Sequence, residues 1–249
     1  MTRSVALVTG GSRGIGRAIV ARLARRGHAV VFTYTSDEVG AGESAAEASV
    51  LGVEVRAVRC DLRDTDAPER MIAATEELGD LVIVVNNAGV TGPIGPLSAV
   101  TDETVAQVVD VNLVATLRVC REVVRRWEAQ AAQGDRSIVN VTSIAARTGA
   151  PGEYVWYAAS KAGVEALTVG LAKEVAGAGI RVNAVSPGTT DTTIHARAGR
   201  PDRAREVGAR TPLGRPATPD EIATAVEWLT TTDAGYVTGT VLDVAGGVR

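Results

Sequence analysis

Short, almost wholly apolar runs alternate along this chain with longer stretches in which apolar residues recur every three or four positions. The runs fall at 5–9, 29–34, 53–59, 81–86, 137–142, 181–186 and 241–244. Their length and Val-rich character predict β-strands. Helical spacing is clearest at 15–26, 103–130, 157–176 and 219–231. A strand that is apolar on both sides has both faces covered, the condition of a parallel sheet between two helix layers. The pattern therefore predicts an α/β protein, a doubly wound parallel sheet of about seven strands with helices on both faces. No linker or repeat divides it, so residues 1–249 read as a single domain. Segment 189–216 departs from the pattern: it is polar, rich in Thr, Arg, Gly and Ala, and weakly periodic. It reads either as a loop or short-helix excursion that covers a site, or as a solvated surface loop.

Composition narrows the picture. With one Phe, four Tyr and three Trp, the core must be built from Val, Ala, Leu and Ile. A formal net charge of −3, without an aromatic-basic stripe, argues against a nucleic-acid partner. The two cysteines, Cys60 and Cys120, have no metal-type spacing and suit a reducing compartment rather than a disulfide scaffold. An apolar strand begins within four residues of the N-terminus, leaving no room for a signal peptide. The apolar runs are too short to cross a membrane. The expected location is the cytoplasm.

The first predicted strand runs into Gly10-Gly-Ser-Arg-Gly14-Ile-Gly16, and a helix follows at once. Glycines permit a tight turn and close approach of backbone to a pyrophosphate, and the helix N-terminus offers free N–H groups to the anion. The spacing, G-x-x-x-G-x-G, differs from the G-x-G-x-x-G fingerprint, but its place between first strand and first helix points to a dinucleotide. The second strand ends Phe32-Thr-Tyr-Thr-Ser36 without the acid that usually meets a ribose diol. Arg13, with Thr35 and Ser36, is placed to meet a 2′-phosphate, which favours NADP(H) over NAD(H). In the competing reading Arg13 is solvated and Asp37 folds back onto the ribose.

Tyr157 and Lys161 stand four apart, so they share a helix face. A phenol beside an ammonium has its ionised form favoured and can exchange a proton with an alcohol oxygen. Taken alone, such a pair is more often a core-edge aromatic and a solvated cation.

Taken together, Thr9-Gly-Gly-Ser-Arg-Gly-Ile-Gly16, Asn86-Asn-Ala-Gly89, Asn112, Ser143, Tyr157, Lys161, Pro187-Gly188 and Val244-Ala-Gly-Gly247 resemble, in order, the motifs of the short-chain dehydrogenase/reductase family. The resemblance covers essentially the whole chain and implies a Rossmann-type fold. Pro212-Leu-Gly-Arg215 before Pro219-Asp-Glu-Ile222 is similar to the β-ketoacyl-carrier-protein reductases and to related alcohol and sugar dehydrogenases.

The resemblance implies roles. Asn112, Ser143, Tyr157 and Lys161 would be the catalytic set. Tyr157 would pass the proton, Ser143 would hold the carbonyl oxygen, and Lys161 would hold the nicotinamide ribose and lower the Tyr157 pKa. Asn112 would anchor a proton-relaying water. Gly10, Ser12, Arg13, Gly14, Ile15 and Gly16 would form the cofactor turn, and Asp61 with Leu62 would meet the adenine. Asn87, Ala88 and Gly89 would line the ribose path, and Pro187, Gly188, Thr189 and Thr192 the nicotinamide end. The implied activity is hydride transfer between NADP(H) and a carbonyl or secondary alcohol, with a 3-oxoacyl thioester or a small ketone as the candidate substrates, in a homotetramer or homodimer paired through 103–130 and 157–176. A sugar or polyol dehydrogenase, and a non-catalytic NADP(H) sensor, are the alternatives; intact Ser143, Tyr157 and Lys161 speak against a sensor.

Some features depart from the family pattern. The stretch from Ser143 to Tyr157 is slightly long and carries bulky Tyr154 and Trp156, which leaves the substrate mouth open to question. The turn Ala176-Gly-Ala-Gly179 lacks a basic residue frequent in carrier-protein reductases. Arg125 and Arg126 offer either a contact for an acidic carrier or a solvated face. In segment 189–216, His195 is placed either to touch substrate or to face solvent. Arg197, Arg200, Arg203 and Arg205 suggest a carboxylate- or phosphate-bearing substrate, or equally a solvated surface.

Overall fold

The structure, a computed structural model, describes residues 3–130 and 134–249; the side chains of His195 and Arg197 lie outside what it describes. Seven strands form one sheet: β1 (Ser4–Val8), β2 (Ala29–Tyr34), β3 (Val55–Arg59), β4 (Asp80–Asn86), β5 (Arg136–Val141), β6 (Ile180–Pro187) and β7 (Val241–Val244). Their order is β3-β2-β1-β4-β5-β6-β7 and every pairing is parallel. The chain thus winds outward from β1 in one direction, then returns to β4 and winds in the other. This is the Rossmann-type topology, and the reversal between β1 and β4 opens a crevice at the strands' carboxyl ends.

Among the described residues the connecting helices are α1 (Gly14–Arg25), α2 (Glu38–Ser49), α3 (Ala67–Glu76), α4 (Asp102–Val109), α5 (Ala115–Ala129), α6 (Ala145–Thr148), α7 (Val155–Val175), α8 (Ile194–Arg197), α9 (Arg203–Gly208) and α10 (Pro219–Thr230). Successive strand residues point to opposite faces. Val5 and Leu7 of β1 pack with Met71 and Ile72 of α3, Val119 and Val123 of α5 and Val175 of α7. Ala6 and Val8 pack with Ile19 and Leu23 of α1 and Ile222 and Val226 of α10. Two aliphatic cores result, as a strand apolar on both sides requires.

The predicted strands all form. Helices α2 and α3 are additions to the sequence reading. Helix α2 buries only Ala41, Ser44 and Ala48, too small a stripe to mark a period against its many Ala and Gly. Stretch 103–130 is not one helix. It is α4, a π-helical turn over Asp110–Val114, and α5. The extra residue of that turn coincides with Asn112, whose side chain is held from outside the helix. Its Oδ1 accepts the Val90 N–H at 2.9 Å, and its Nδ2 donates to Val90 O at 2.9 Å and Ser160 Oγ at 3.0 Å. Interruptions of this kind gather at functional sites.

Segment 189–216 is an excursion carrying α8 and α9. Its base is pinched: Ala217 N donates to Thr189 O and Asp191 N donates to Ala217 O, both at 2.9 Å. Gly214 and Leu213 hold its second half, Leu213 N donating to Gly246 O at 3.2 Å. No described helix is long and apolar enough to cross a membrane.

Candidate active site

A cavity of about 570 Å³ follows the crevice from the glycine turn to α9. At its first end the backbone itself is the site. Gly10 and Gly14 have φ of +70° and +53°, the left-handed region where a side chain is strained. A Cβ on residue 16 would sit 2.0 Å from Gly10 O, and one on residue 11 would lie 2.6 Å from the Phe32 ring. The turn therefore lies flush on β2 and α1, with no room for side chains. It is braced from β4, since Asn87 Nδ2 donates to Thr9 O at 3.0 Å and Gly10 O at 2.9 Å. Thr9 Oγ1 accepts the N–H groups of Asn87 and Ala88 at 3.0 Å. Asn87 thus shapes the turn besides lining the cavity.

Helix α1 begins without a side-chain cap at Arg13. By contrast, α10 closes its own N-terminus with a capping box of Thr218 and Glu221, and α4 uses Thr101. A tightly turned glycine cradle before an uncapped helix N-terminus fits a pyrophosphate. Ser12 and Ile15 line this end with the glycines. Thr192, from the first residues of the excursion, packs across it, its Cγ2 3.3 Å from where a Cβ of residue 14 would be.

At the end of β2 the Arg13 guanidinium meets Asp37 at 2.7 Å. Asp37 also caps α2, accepting Gly40 N at 3.2 Å. Arg13 is thus paired though still partly exposed, and Asp37 is turned toward Arg13. Thr35 and Ser36 stand exposed at the rim. Further along, Asp61 is gripped by Arg63, whose Nη2 lies 2.6 Å from Oδ2 and whose Nε lies 3.0 Å from Oδ1. That hydrogen bond holds the Asp61 carboxyl below its ordinary pKa. Nothing in the sequence singled out Arg63. Leu62 is buried beside it.

At the other end, Ser143 follows β5, while Tyr157 and Lys161 project from the first turns of α7; all three line the cavity. Lys161 Nζ donates to Val141 O at 2.7 Å and lies 5.9 Å from the centre of the Tyr157 ring. Close packing explains Gly89, where a Cβ would stand 3.2 Å from Asn112 Oδ1 and 3.4 Å from Lys161 Nζ. The expected acidification of Tyr157 by Lys161 is not what this arrangement produces. Burial pushes the Tyr157 phenol up to about 12, with the Ser143 hydroxyl pulling the other way. Burial also pushes Lys161 down to about 8. For each group the loss of water on burial is the largest cause of the shift. Asn112 is brought to the site, but its side chain is committed to the Val90 backbone and Ser160, so it fixes the segment after β4.

Pro187, Gly188 and Thr189 carry β6 into the excursion along the cavity wall. Gly188 lies flush on the segment after β7, with a Cβ there 2.7 Å from Ala245 Cα. The stretch before Tyr157 divides in two. Trp156 turns inward, its Nε1 donating to Thr91 O at 2.8 Å, so it is no part of the mouth. Tyr154 faces the cavity and meets the Tyr157 ring edge-on at 5.3 Å.

Arg200, Arg203 and Arg205, the described members of the four arginines singled out in the excursion, do not form an anion trap. Arg200 pairs with Glu206 and Arg205 with Asp202, both in solvent. Arg203 alone of the excursion's described arginines lines the cavity, and it is bound by Glu153 at 2.5 Å. That contact spans fifty residues of sequence and left no trace in spacing or period. On α5, Arg126 is shared between Glu122 and Glu76, and Arg125 is exposed.

Comparison with known proteins agrees with this geometry. The family model described as "Enoyl-(Acyl carrier protein) reductase" matches residues 10–249. An uncharacterized oxidoreductase of Escherichia coli (strain K12), YgfF, is 39% identical over 98% of this chain and 99% of its own length. The 3-oxoacyl-[acyl-carrier-protein] reductase FabG of Vibrio harveyi is 36% identical over 98% of this chain and 96% of its own. The crystal structure of a dehydrogenase/reductase from Sinorhizobium meliloti 1021 superposes with a TM-score of 0.90 at 36% identity, covering 100% of this chain and 96% of that one. A parallel doubly wound sheet with a glycine cradle at its switch point fits a dinucleotide-binding protein, and the relatives place this one among oxidoreductases. The chain belongs to the short-chain dehydrogenase/reductase family, whose members work with a nicotinamide cofactor.

Proposed function

We propose that the chain is an NADP(H)-dependent carbonyl reductase, interconverting a ketone and a secondary alcohol. The observation that carries this reading is the convergence of Ser143, Tyr157 and Lys161 on one cavity whose other end is the glycine cradle and open α1 N-terminus. The nicotinamide, when bound, supplies or accepts the hydride. The protein's residues do the rest. The backbone of Ser12 to Gly16 and the α1 N-terminus hold the pyrophosphate, and Leu62 with the Asn87–Gly89 segment lines the adenosine and ribose path. Lys161 would hold the nicotinamide ribose, and Pro187, Gly188, Thr189 and Thr192, which line the same cavity, would hold the ring.

Ser143 donates a hydrogen bond to the carbonyl oxygen, stabilising negative charge as it develops there. Tyr157 stays protonated at neutral pH because burial holds its phenol near about 12. It therefore stands ready as the proton donor in reduction, and must be made basic before it can serve oxidation. Asn112 acts through the segment it holds, keeping Gly89 and Lys161 in register.

NADP(H) is favoured because Arg13 stands beside the end of β2. Its pair with Asp37 is partly exposed, 36% and 25% by side chain. Such pairs contribute only about 0–1 kcal/mol, so a 2′-phosphate can take the guanidinium from Asp37. The same pair supports a second reading, in which Asp37 leaves Arg13 for a ribose diol and NAD(H) is the cofactor. Parallel assays of ketones and alcohols with NADPH, NADH, NADP and NAD decide both questions. Reduction of ketones with NADPH well above NADH is expected; no turnover of any ketone with either would refute the reading. A homotetramer or homodimer fits the half-exposed Leu117 of α5 and Val169 of α7.

A further inference from the structure

Among the described residues three arginines line the cavity, and each is held by a carboxylate: Arg13 by Asp37, Arg63 by Asp61 and Arg203 by Glu153. The first two stand at the cofactor end. The third stands at the substrate end, and its construction is different. The Arg203 side chain, delivered by α9, is 8% exposed. Its Nε and Nη2 form a fork that donates to the two Glu153 carboxylate oxygens at 3.2 and 2.5 Å. Its guanidinium lies 5.3 Å from the centre of the Tyr154 ring, which in turn packs edge-on against Tyr157. One edge of the guanidinium is thus spent on Glu153 and one face on Tyr154. The Nη1 edge has no acceptor among the described residues, and the residue borders the cavity beside the phenol assigned to proton transfer.

We infer that Glu153 sets the charge class of the substrate: by neutralising Arg203 it adapts the pocket to an uncharged carbonyl compound and excludes keto acids. The inference rests on the carbonyl-reductase reading given above. An uncharged substrate leaves the Arg203–Glu153 pair neutral and can place a second oxygen on the open Nη1 edge. A carboxylate reaching that edge would make two carboxylates share one guanidinium that is 8% exposed, leaving a net negative charge at this wall. Specificity built this way is a repulsive element, and an arginine alone would produce the opposite choice. Among the described residues the remaining cation of the cavity, Lys161, does not alter the balance at this wall, because its ammonium is turned to Val141 O. Glu153 is held in place independently of its side chain, its backbone O accepting Gly95 N at 2.7 Å. Its substitution therefore changes charge more than path.

The test is a set of oxo acids of different chain length, each paired with its own methyl ester, reduced by wild type, Glu153→Gln, Arg203→Gln and the double variant. The ratio of kcat/KM for ester over acid is the readout. Wild type is expected to favour esters by tenfold or more. Glu153→Gln, which unmasks the arginine, should move the ratio toward the acid by at least tenfold. Arg203→Gln should move it further toward the ester, and the double variant should return it to near the wild-type value. A ratio unchanged between wild type and Glu153→Gln overturns the inference, even where both activities fall together, since that is the mark of a purely structural pair. A wild type that prefers acids overturns it as well. Absence of ester or acid reduction by every protein with NADPH and NADH refutes the carbonyl-reductase reading itself, and the inference falls with it.

Discussion

At the glycine turn the backbone forms the site, whereas at the substrate end the site is made by side chains from three segments far apart in sequence. The turn is sealed by contacts that leave no space for a Cβ at residue 16 and is braced by Asn87 and Thr9. The substrate wall depends on one ion pair, Arg203–Glu153, and on the Tyr154–Tyr157 contact. A backbone site binds what every member of a fold class binds, and its tolerance of change is low. A side-chain site can change its chemistry while the fold stays as it is. Substitutions at the two ends should therefore separate cofactor affinity from turnover.

The largest expected effect is at the substrate end. Tyr157→Phe keeps the ring and removes the proton, so kcat should fall by roughly 10²–10⁴-fold, the scale of general acid catalysis. Fluorescence titration should find NADPH affinity near that of wild type. Retention of most of the activity would remove Tyr157 from the mechanism. At the cofactor end the separation is reversed. Arg13→Ala should weaken NADPH binding by about 1.5–3 kcal/mol, the range for hydrogen bonds to charged groups. NADH binding should change little. Equal losses for both cofactors would favour the reading in which Asp37 serves a ribose diol. Gly16→Ala drives a methyl group against Gly10 O, and overpacking of this kind costs about 1–3 kcal/mol. Loss of affinity for NADPH and NADH together, with a lowered melting temperature, is the expected pattern.

What was legible in the sequence follows the same division. The seven strands declared themselves as short Val-rich runs, the inner ones apolar on both faces, and the glycine turn did so because only glycine fits where φ is positive or a neighbour's backbone is in contact. Ser143, Tyr157 and Lys161 were found through ordered motifs, and they do meet in one cavity. The partners of the charged residues were not legible. Arg13 with Asp37 and Arg203 with Glu153 are set by how segments pack, and Arg63 with Asp61 by the shape of a single turn. Neither period nor motif records whether an arginine will face solvent, phosphate or a carboxylate. The effect of Lys161 on Tyr157 was misjudged for a related reason. Spacing puts the two on one helix face, but burial decides their pKa values, and burial belongs to the tertiary structure. The π turn at Asn112 was hidden because its cause, the Val90 backbone, lies outside the helix.

Smaller effects sharpen the comparison. Because burial raises the Tyr157 phenol, its proton is present throughout the neutral range and its base form is scarce. Ketone reduction should therefore not gain from rising pH. Alcohol oxidation should climb by roughly tenfold per pH unit from about pH 6 to about pH 9, while the pH stays below the phenol pKa. A pH-independent oxidation rate over that range would show that another base takes the proton. The excursion at 189–216 should show a gradient in hydrogen exchange. Its pinched base and the part held to Gly246 should be protected, and the α8–α9 tip should gain protection when NADPH and a ketone bind. Equal exchange with and without ligands would leave the tip no part in covering the site.

The central claim is that one cavity joins a nicotinamide held at the backbone-built end to a carbonyl held at the side-chain-built end. The most direct measurement uses NADPH deuterated at both C4 positions and a neutral ketone, with mass spectrometry of the alcohol produced. The account predicts a single deuterium on the new carbinol carbon with the wild-type protein, and loss of labelled product with Tyr157→Phe although the cofactor still binds. Oxidation of NADPH with no deuterium in the alcohol, or no alcohol from any ketone tried, would contradict it.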